Sequence, residues 1–402
     1  MVMKKMHICI LSLDNQPQFV GGVKRVTSIM GKKWIEQGHF VCFLTSCTSS
    51  IKKSNFNDII QYFIPKPNQI LSDENITAAI KLIEEHNIDI ILNPHIENKD
   101  LTTFAHNIKR QKPIKLVSAL HFSPTSTYNI VKESFFIPYA IDKKLKEWIK
   151  NAILWMRFNL YKGRQIKRKE NQWLKTVVQD SDCFVVLSEK FKSYFDQGNQ
   201  NIIAINNPID IPTNDRPQKK EKKVVWCGRL DITGAKRADR MLRIWKKVTP
   251  HHPDWNLVLL GSGDTNRINY LIKKYGIDHV NVVGFCDTPN DYYKEAAIVC
   301  TTSTVEGWGM VLVEGQLNGC VPFAFDSYES VHEIIQDGEN GVLVNPFDLD
   351  QYAEKMCQLM ENGELWGRMS AQARQSVKRF DSPLIAQQWI NLFQSLQNKT
   401  KI

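Results

Sequence analysis

Nothing in this chain of 402 residues spaces its cysteines as a CxxC pair. The nine of them, Cys9, Cys42, Cys47, Cys183, Cys227, Cys286, Cys300, Cys320 and Cys357, lie scattered, mostly inside apolar runs. An odd, dispersed set argues against a disulfide framework and for a reducing compartment. The same spacing offers no zinc site. No window of about 20 residues is apolar enough to span a bilayer. The opening stretch MVMKKMHICILSLDNQ places lysines before apolar residues, as a signal peptide does. Its apolar part is too short and lacks a small-residue cleavage site, so it reads as a first buried strand. The glycine pair Gly21-Gly22 does not extend to GxGxxG, so a dinucleotide fingerprint is not supported.

What is present is the composition of a folded soluble protein, 43% hydrophobic and 23% charged. The length exceeds what one core usually serves, so two domains are expected. The net charge of +10 favours an anionic partner without choosing among nucleic acid, a phosphorylated small molecule and a membrane surface.

Met6 to Leu13 is a short apolar run and reads as a buried parallel strand. Gly21-Gly22 opens a helix over Val23 to Gln37, Gly38 stops it, and Phe40 to Thr45 is a second strand. Alternation continues with a weak strand at Tyr62 to Ile64, a helix from Asp73 to His86 with Asp73 as its cap, and a strand at Ile88 to Leu92. A helix over Lys99 to Arg110 leads to a strand, Leu116 to Leu120, that runs into His121. His121 thus stands where α/β sheets present ligand groups, although a lone histidine is more often a packed or capping residue.

Lys143 to Lys175 differs in character: strongly basic, with Trp148, Ile149, Ile153, Leu154, Trp155, Phe158 and Leu160 interleaved. Two readings stand side by side, a helix docked on an anionic leaflet and a surface helix packed on its own domain. Nucleic acid is not expected, since no RNA or DNA module accompanies the segment. Strand signals return at Cys183 to Leu187 and Asn201 to Ile205. The polar, proline-bearing stretch PTNDRPQKKEKK then marks a linker at about 207–223, dividing a domain over 1–210 from one over 222–380. The last helix, 383–396, is a candidate to pack back on the first domain.

The second half repeats the same strand-helix logic. Val224 to Trp226 leads into a loop with Gly228, Arg229, Lys236 and Arg237; Gly261-Ser262-Gly263 and Gly284 end the next two strands. The apolar run Ala296 to Cys300 leads through TTSTVEGWG to a helix from Met310 to Asn318. A strand, a glycine turn and a helix N-terminus in that order make an anion site, because the first N–H groups of the helix have no partner within it. Glu306 and Glu314 bracket the turn, eight positions or about two helical turns apart, so both can face one ligand. In one parallel sheet these loops share the carboxyl edge. Arg229 offers planar donors and Lys236 a compact charge, a combination that suits a diphosphate. Ionised Glu314 and Glu306 can only accept, from ribose and from sugar hydroxyls respectively. The expected ligand is a nucleoside diphosphate carrying a sugar, bound by two doubly wound α/β domains facing a central cleft.

The Glu306/Glu314 pair within EGWGMVLVEG resembles the Glu-x7-Glu motif of retaining family 4 glycosyltransferases (glycosyl transferases group 1) with the GT-B fold. Gly228-Arg229-Leu230 with Lys236-Arg237 resembles the family's phosphate-binding loop, Gly21-Gly22 its N-terminal glycine loop, and Asp337 to Val344 a further shared stretch. The resemblance is strong from Val224 to Phe347 and thin between about 50 and 180. It implies that Arg229 and Lys236 neutralise the leaving diphosphate, that Glu314 binds the ribose and Glu306 the donor sugar, and that the backbone of Gly307, Trp308, Gly309 and Met310 holds sugar hydroxyls or phosphate. It implies that His121 lies near the reacting sugar and that Gly21 and Gly22 let the first domain approach the phosphates. The loop from Arg229 to Lys236 is a little long for the family, which leaves Lys236 and Arg237 able to exchange roles. No DxD-like metal site stands in a matching place, and no cofactor is implied beyond the nucleotide-sugar substrate, with a UDP-sugar favoured over a GDP-sugar.

The resulting expectation is a retaining, metal-independent hexosyltransferase. It acts on a glycan or lipid-linked acceptor in bacterial-type surface polysaccharide or lipopolysaccharide synthesis, in the cytoplasm or peripherally on the inner face of the plasma membrane. Two alternatives remain on sequence grounds: a sugar-nucleotide epimerase or hydrolase on the same fold, and a non-catalytic donor-binding subunit of a glycan-assembly complex.

Overall fold

The computed structural model describes residues 5–13, 22–47, 53–56, 59–134, 162–195, 201–212, 219–232 and 234–398, with Ile153, Met156 and Phe158. Gly21 and residues 143–152 of the basic segment lie outside the described residues. The chain forms two compact units. The first gathers Met1–Pro124, Asn171–Asp210 and Phe380–Ile402; the second gathers Thr125–Glu170 and Ile211–Arg379.

The first unit is built on eight strands: β1 (His7–Ser12), β2 (Phe40–Thr45), β3 (Lys53–Phe56), β4 (Ile59–Phe63), β5 (Ile90–Asn93), β6 (Lys115–Leu120), β7 (Cys183–Val186) and β8 (Ile202–Ala204). Their order is β3-β4-β2-β1-β5-β6-β7-β8. Every neighbouring pair is parallel except β3 with β4. The central strands are mostly apolar because helices cover both faces of a parallel sheet, leaving no solvent side to alternate toward. Helix starts follow short polar side chains. Ser72 Oγ accepts from the Asn75 amide, so the cap is Ser72, one residue before the Asp73 that the sequence suggests. The helix Ser382–Asn398 lies against the helix Gly22–Glu36: Trp34 donates from Nε1 to the Ala386 carbonyl at 3.3 Å and meets Phe393 edge-on at 5.5 Å. Residues from beyond the second unit thus complete the core of the first.

The second unit holds β9 (Glu221–Cys227), β10 (Asn256–Leu260), β11 (Val280–Gly284), β12 (Ala296–Cys300), β13 (Val321–Phe325) and β14 (Val342–Val344), all parallel. The order β11-β10-β9-β12-β13-β14 reverses direction between β9 and β12. Chain leaving β9 turns one way and chain leaving β12 the other, which opens a crevice at their carboxyl ends. Below it lies a core of large, fully buried side chains, including Trp226, Met241, Trp245, Phe323 and Tyr352. The helix Met310–Leu317 sits close on β12 because Gly315 has no side chain; a Cβ there would meet Val299 at 2.2 Å.

The loops after β9 and β10 are bonded to each other. The Gly228 amide donates to the Leu260 carbonyl at 2.9 Å and the Leu230 amide to Ser262 at 2.7 Å. Gly261 sits between them at φ +137°, where a Cβ would fall 1.8 Å from the Gly228 carbonyl oxygen. Backbone cannot swing aside as a side-chain tip does. Gly261→Ala should therefore lower stability by at least about 2 kcal/mol, combining left-handed strain with a steric clash; urea unfolding checks this, and a change within error would refute it.

Candidate donor site

The two loops flanking the strand reversal are stitched together before any ligand is considered. Thr302, just after β12, accepts from the buried Trp226 Nε1 at 2.9 Å and donates to the Arg237 carbonyl at 2.9 Å. The Thr304 amide donates to the Ala235 carbonyl at 2.7 Å. Arg240, buried in the helix Ala238–Val248, donates to the Thr302 carbonyl and to Thr304 Oγ1, and its guanidinium stacks 3.8 Å over Phe347. These residues were not singled out from the sequence. The run Thr301-Thr302-Ser303-Thr304 was the available signal: four hydroxyl side chains after a buried strand need partners when they are themselves buried.

On this base Lys236 and Glu306 meet. Lys236 Nζ lies 2.5 Å from Glu306 Oε1, and Ser303 Oγ donates to the same oxygen at 2.7 Å. The Glu306 side chain is 12% exposed and that of Lys236 30%, so the pair is held away from bulk water but reachable from it. The lysine stem packs over Gly228, where a Cβ would sit 3.4 Å from it. Arg229 is 65% exposed and pairs through Nε with Asp231 Oδ2 at 2.7 Å; Asp231 also accepts the Gly234 amide. Arg237 does not stand in for Lys236. Its backbone is left-handed at φ +56°, and its side chain turns inward to a two-point contact with Asp239, at 2.8 and 2.9 Å.

Gly309 precedes the helix Met310–Leu317 at φ +111°, and no side chain caps that helix. The uncapped amides leave the turn as an anion-ready surface. Gly307 and Met310 are half-buried, while Trp308 is buried in the turn. Glu314 is 8% exposed and close enough to Cys227 for its charge to act there. Burial, with that charge adding to it, pushes the Cys227 thiol up to about 11, so it stays protonated and unreactive. Burial first, and the Glu306 carboxylate second, hold the Tyr328 phenol well above its usual range. Six of the expected donor residues, Arg229, Lys236, Glu306, Gly307, Trp308 and Gly309, therefore lie on the two loops at the strand reversal, with Met310 and Glu314 in the helix that follows.

In the first unit, Gly22 opens its helix with open space around it. His121 follows β6. Burial first, with a nearby His95 second, lowers its pKa to about 4, while Glu97 and Asn207 act the other way. It is neutral at physiological pH. Its Nδ1 is buried and meets no hydrogen-bond partner among the described residues. In the basic segment, Phe158 is buried against Tyr128 with ring centroids 5.6 Å apart, and Lys167 lies 4.2 Å over the Tyr128 ring. The helix Gly163–Asp180 buries Leu174, Val177 and Val178 and leaves Arg164, Lys167, Arg168 and Lys169 exposed. No helix among the described residues is long and apolar enough to cross a membrane.

Two parallel sheets, each flanked by helices and doubly wound, are the GT-B architecture. Residues 210–376 match the family model of the glycosyl transferases group 1, and residues 20–212 match that of glycosyltransferase family 4. Together they take in most of the chain, which belongs to this glycosyltransferase family. An uncharacterized glycosyltransferase of Haemophilus influenzae is 28% identical over 59% of this chain and 68% of its own length. A Staphylococcus aureus poly(ribitol-phosphate) α-N-acetylglucosaminyltransferase is 26% identical over 49% of this chain and 40% of its own length. Several of the curated relatives are thus matched over less than two thirds of their length. Among solved structures, sucrose-phosphate synthase of Thermosynechococcus elongatus superposes with a TM-score of 0.73, at 16% identity over 98% of this chain and all of that one. HepE of Anabaena, solved with UDP, gives the same TM-score and identity over 97% of this chain and all of its own.

Neutral histidines shielded from water give an acid signature. His121, His106 and His39 all bind protons more weakly folded than unfolded, burial being the first cause of each shift. Unfolded, each takes a proton near 6.5. Below that value the unfolded chain holds more protons, so stability is full above about 6.5 and falls as pH drops toward about 4. Urea midpoints measured across this window should decline, and His121→Gln should shallow the decline; a flat profile would contradict these burial effects.

Proposed function

We propose that this protein is a retaining glycosyltransferase that moves a hexose-type sugar from a UDP-sugar to a glycan or lipid-linked acceptor in bacterial surface polysaccharide or lipopolysaccharide synthesis. The observation that carries the reading is the Lys236–Glu306 pair, set at the strand reversal beside the uncapped helix of Gly309. Family membership and the UDP bound to HepE support it. A relative in Campylobacter jejuni, named for adding N-acetylgalactosamine to an undecaprenol-linked glycan, supports the acceptor class.

Transfer builds positive charge on the sugar and negative charge on the departing diphosphate. Lys236, Arg229 and the amides at Gly309 and Met310 are fixed before the reaction, so they stabilise the leaving group without reorganising. In this reading those cations do what a divalent ion does in other transferases. Glu306 accepts from donor hydroxyls and Glu314 from the ribose. His121, neutral, offers the sugar a hydrogen bond without bringing a second positive charge beside the developing cation. Retention ordinarily calls for a carboxylate nucleophile, and neither glutamate has that role here. The leaving phosphate itself takes the acceptor's proton on the same face. The exposed basic face of the helix Gly163–Asp180 supports contact with an anionic leaflet, weighed against the burial of Phe158 on its own unit.

Lys236→Met should lower transfer from the donor identified by a thermal-shift screen of UDP- and GDP-sugars by about 10²–10³-fold, as for loss of one fixed oxyanion group. Glu306→Gln should do the same with UDP binding retained. Wild-type rates in either variant, or equal turnover of donor without acceptor, would overturn the assignment.

A further inference from the structure

The carboxylate of Glu306 is held by one oxygen. Lys236 Nζ, at 2.5 Å, and Ser303 Oγ, at 2.7 Å, both donate to Oε1. Oε2 meets no hydrogen-bond partner among the described residues. Each oxygen of an ionised carboxylate accepts about two hydrogen bonds, so Oε1 is filled and Oε2 is open to a ligand. The two donors differ in how firmly they are placed. Lys236 reaches Glu306 along a long, flexible stem, with its side chain 30% exposed. Ser303 is short and 2% exposed. Its neighbours on both sides are tied down: Thr302 donates to the Arg237 carbonyl at 2.9 Å, and the Thr304 amide to the Ala235 carbonyl at 2.7 Å.

The Ser303 carbonyl is held in turn from the next strand. Ser327, which follows β13 by two residues, donates to it from Oγ at 3.0 Å, and the neighbouring Asp326 amide donates to the Val344 carbonyl at 2.7 Å. Ser330 Oγ, from the same loop, donates to the Trp308 carbonyl at 3.4 Å, and Tyr328 Oη lies where a Cβ on Gly309 would approach it to 3.2 Å. The loop after β13 thus touches the turn on both sides of Glu306.

We propose that Ser303 is a positioning residue for Glu306: it keeps Oε1 anchored, and so Oε2 presented to the donor sugar, when Lys236 leaves for the diphosphate. Ser327, through the Ser303 carbonyl, extends that hold to the loop after β13. This rests on the reading of Glu306 as a sugar-side group and of Lys236 as a diphosphate group. If the lysine exchanges a carboxylate for a phosphate, the carboxylate needs a donor that stays. The Ser303 hydroxyl fills that need at small entropic cost, because its backbone is already fixed. Without it the released carboxylate is free to take other rotamers, and the sugar must order it on binding.

Calorimetric titration of the full chain with UDP, UDP-glucose, UDP-galactose and UDP-N-acetylglucosamine gives the ratio of the Kd for UDP to that for the tightest-binding of the three sugars. Ser303→Ala should lower this ratio roughly tenfold, as for loss of one hydrogen bond to a charged group, and leave the Kd for UDP unchanged. An unchanged ratio overturns the proposal. So does an equal loss of affinity for UDP and the UDP-sugar, which marks a serine that only holds the fold. Should Ser303→Ala not fold, Ser327→Ala is read by the same criteria, with a smaller fall expected. Glu306→Gln separates this proposal from the reading beneath it. If that variant keeps the wild-type ratio, the sugar-side role of Glu306 fails and the proposal with it. If it lowers the ratio and Ser303→Ala does not, the role of Glu306 stands and the positioning role of Ser303 alone fails.

Discussion

The contact between Lys236 and Glu306 joins two loops 70 residues apart across the place where the second sheet reverses its strand order. Its position follows from topology. Strand β9 sits between β10 and β12, so its exit loop and the loop after β12 flank the gap, and Lys236 and Glu306 meet over it. Its geometry follows from the layer beneath. Trp226, Thr302 and Arg240 tie the two backbones together, so that Lys236 and Glu306 arrive at a fixed separation. A carboxylate held mostly out of water is destabilised when its cation is removed. The Thr302 and Arg240 contacts therefore matter to the site as much as the charged groups they support.

The sequence was informative where local pattern and tertiary demand agree. The helix Thr265–Tyr275 has its ends marked in the sequence, since Asp264 caps one and left-handed Gly276 stops the other. The strand Val321–Phe325 was legible as an apolar run that a parallel sheet buries on both faces. The edge strand β3, Lys-Ser-Asn-Phe, carries no such run and takes its form from pairing with β4. The helix Pro289–Glu295 is polar but for the buried Tyr293, and its seven residues are too few to show a period. The helix Val331–Ile334 is a single turn, since no side chain caps it and the Gln336 amide turns to Asn340 Oδ1. Within the site, Glu306 and Lys236 could be read from EGWG and from the loop after β9. Asp231, Ser303 and Arg240 could not, because what they do is set by partners that only folding supplies. Choosing between Lys236 and Arg237 likewise needed the left-handed turn at Arg237, which no propensity for arginine foretells.

The two cations assigned to the diphosphate already have acid partners: Arg229 has Asp231 and Lys236 has Glu306. On the proposed function a diphosphate must compete with those carboxylates, and the two cases differ. Arg229 and Asp231 are on one loop, with the arginine two-thirds exposed, so exchanging a carboxylate for a phosphate there costs little and is screened by solvent. The Glu306 side chain is 12% exposed, and if Lys236 turns to a phosphate the carboxylate keeps Ser303 as its partner among the described residues. Only a ligand that brings hydroxyl donors to Glu306 as well as an anion to Lys236 restores both sets of bonds. Inorganic phosphate or a bare nucleotide satisfies the lysine and strands the glutamate; a nucleotide carrying a sugar satisfies both. Selectivity for the glycosylated donor then arises from the state of the empty site, since two groups that neutralise each other at rest can be separated at low cost only by a ligand with complementary parts for each.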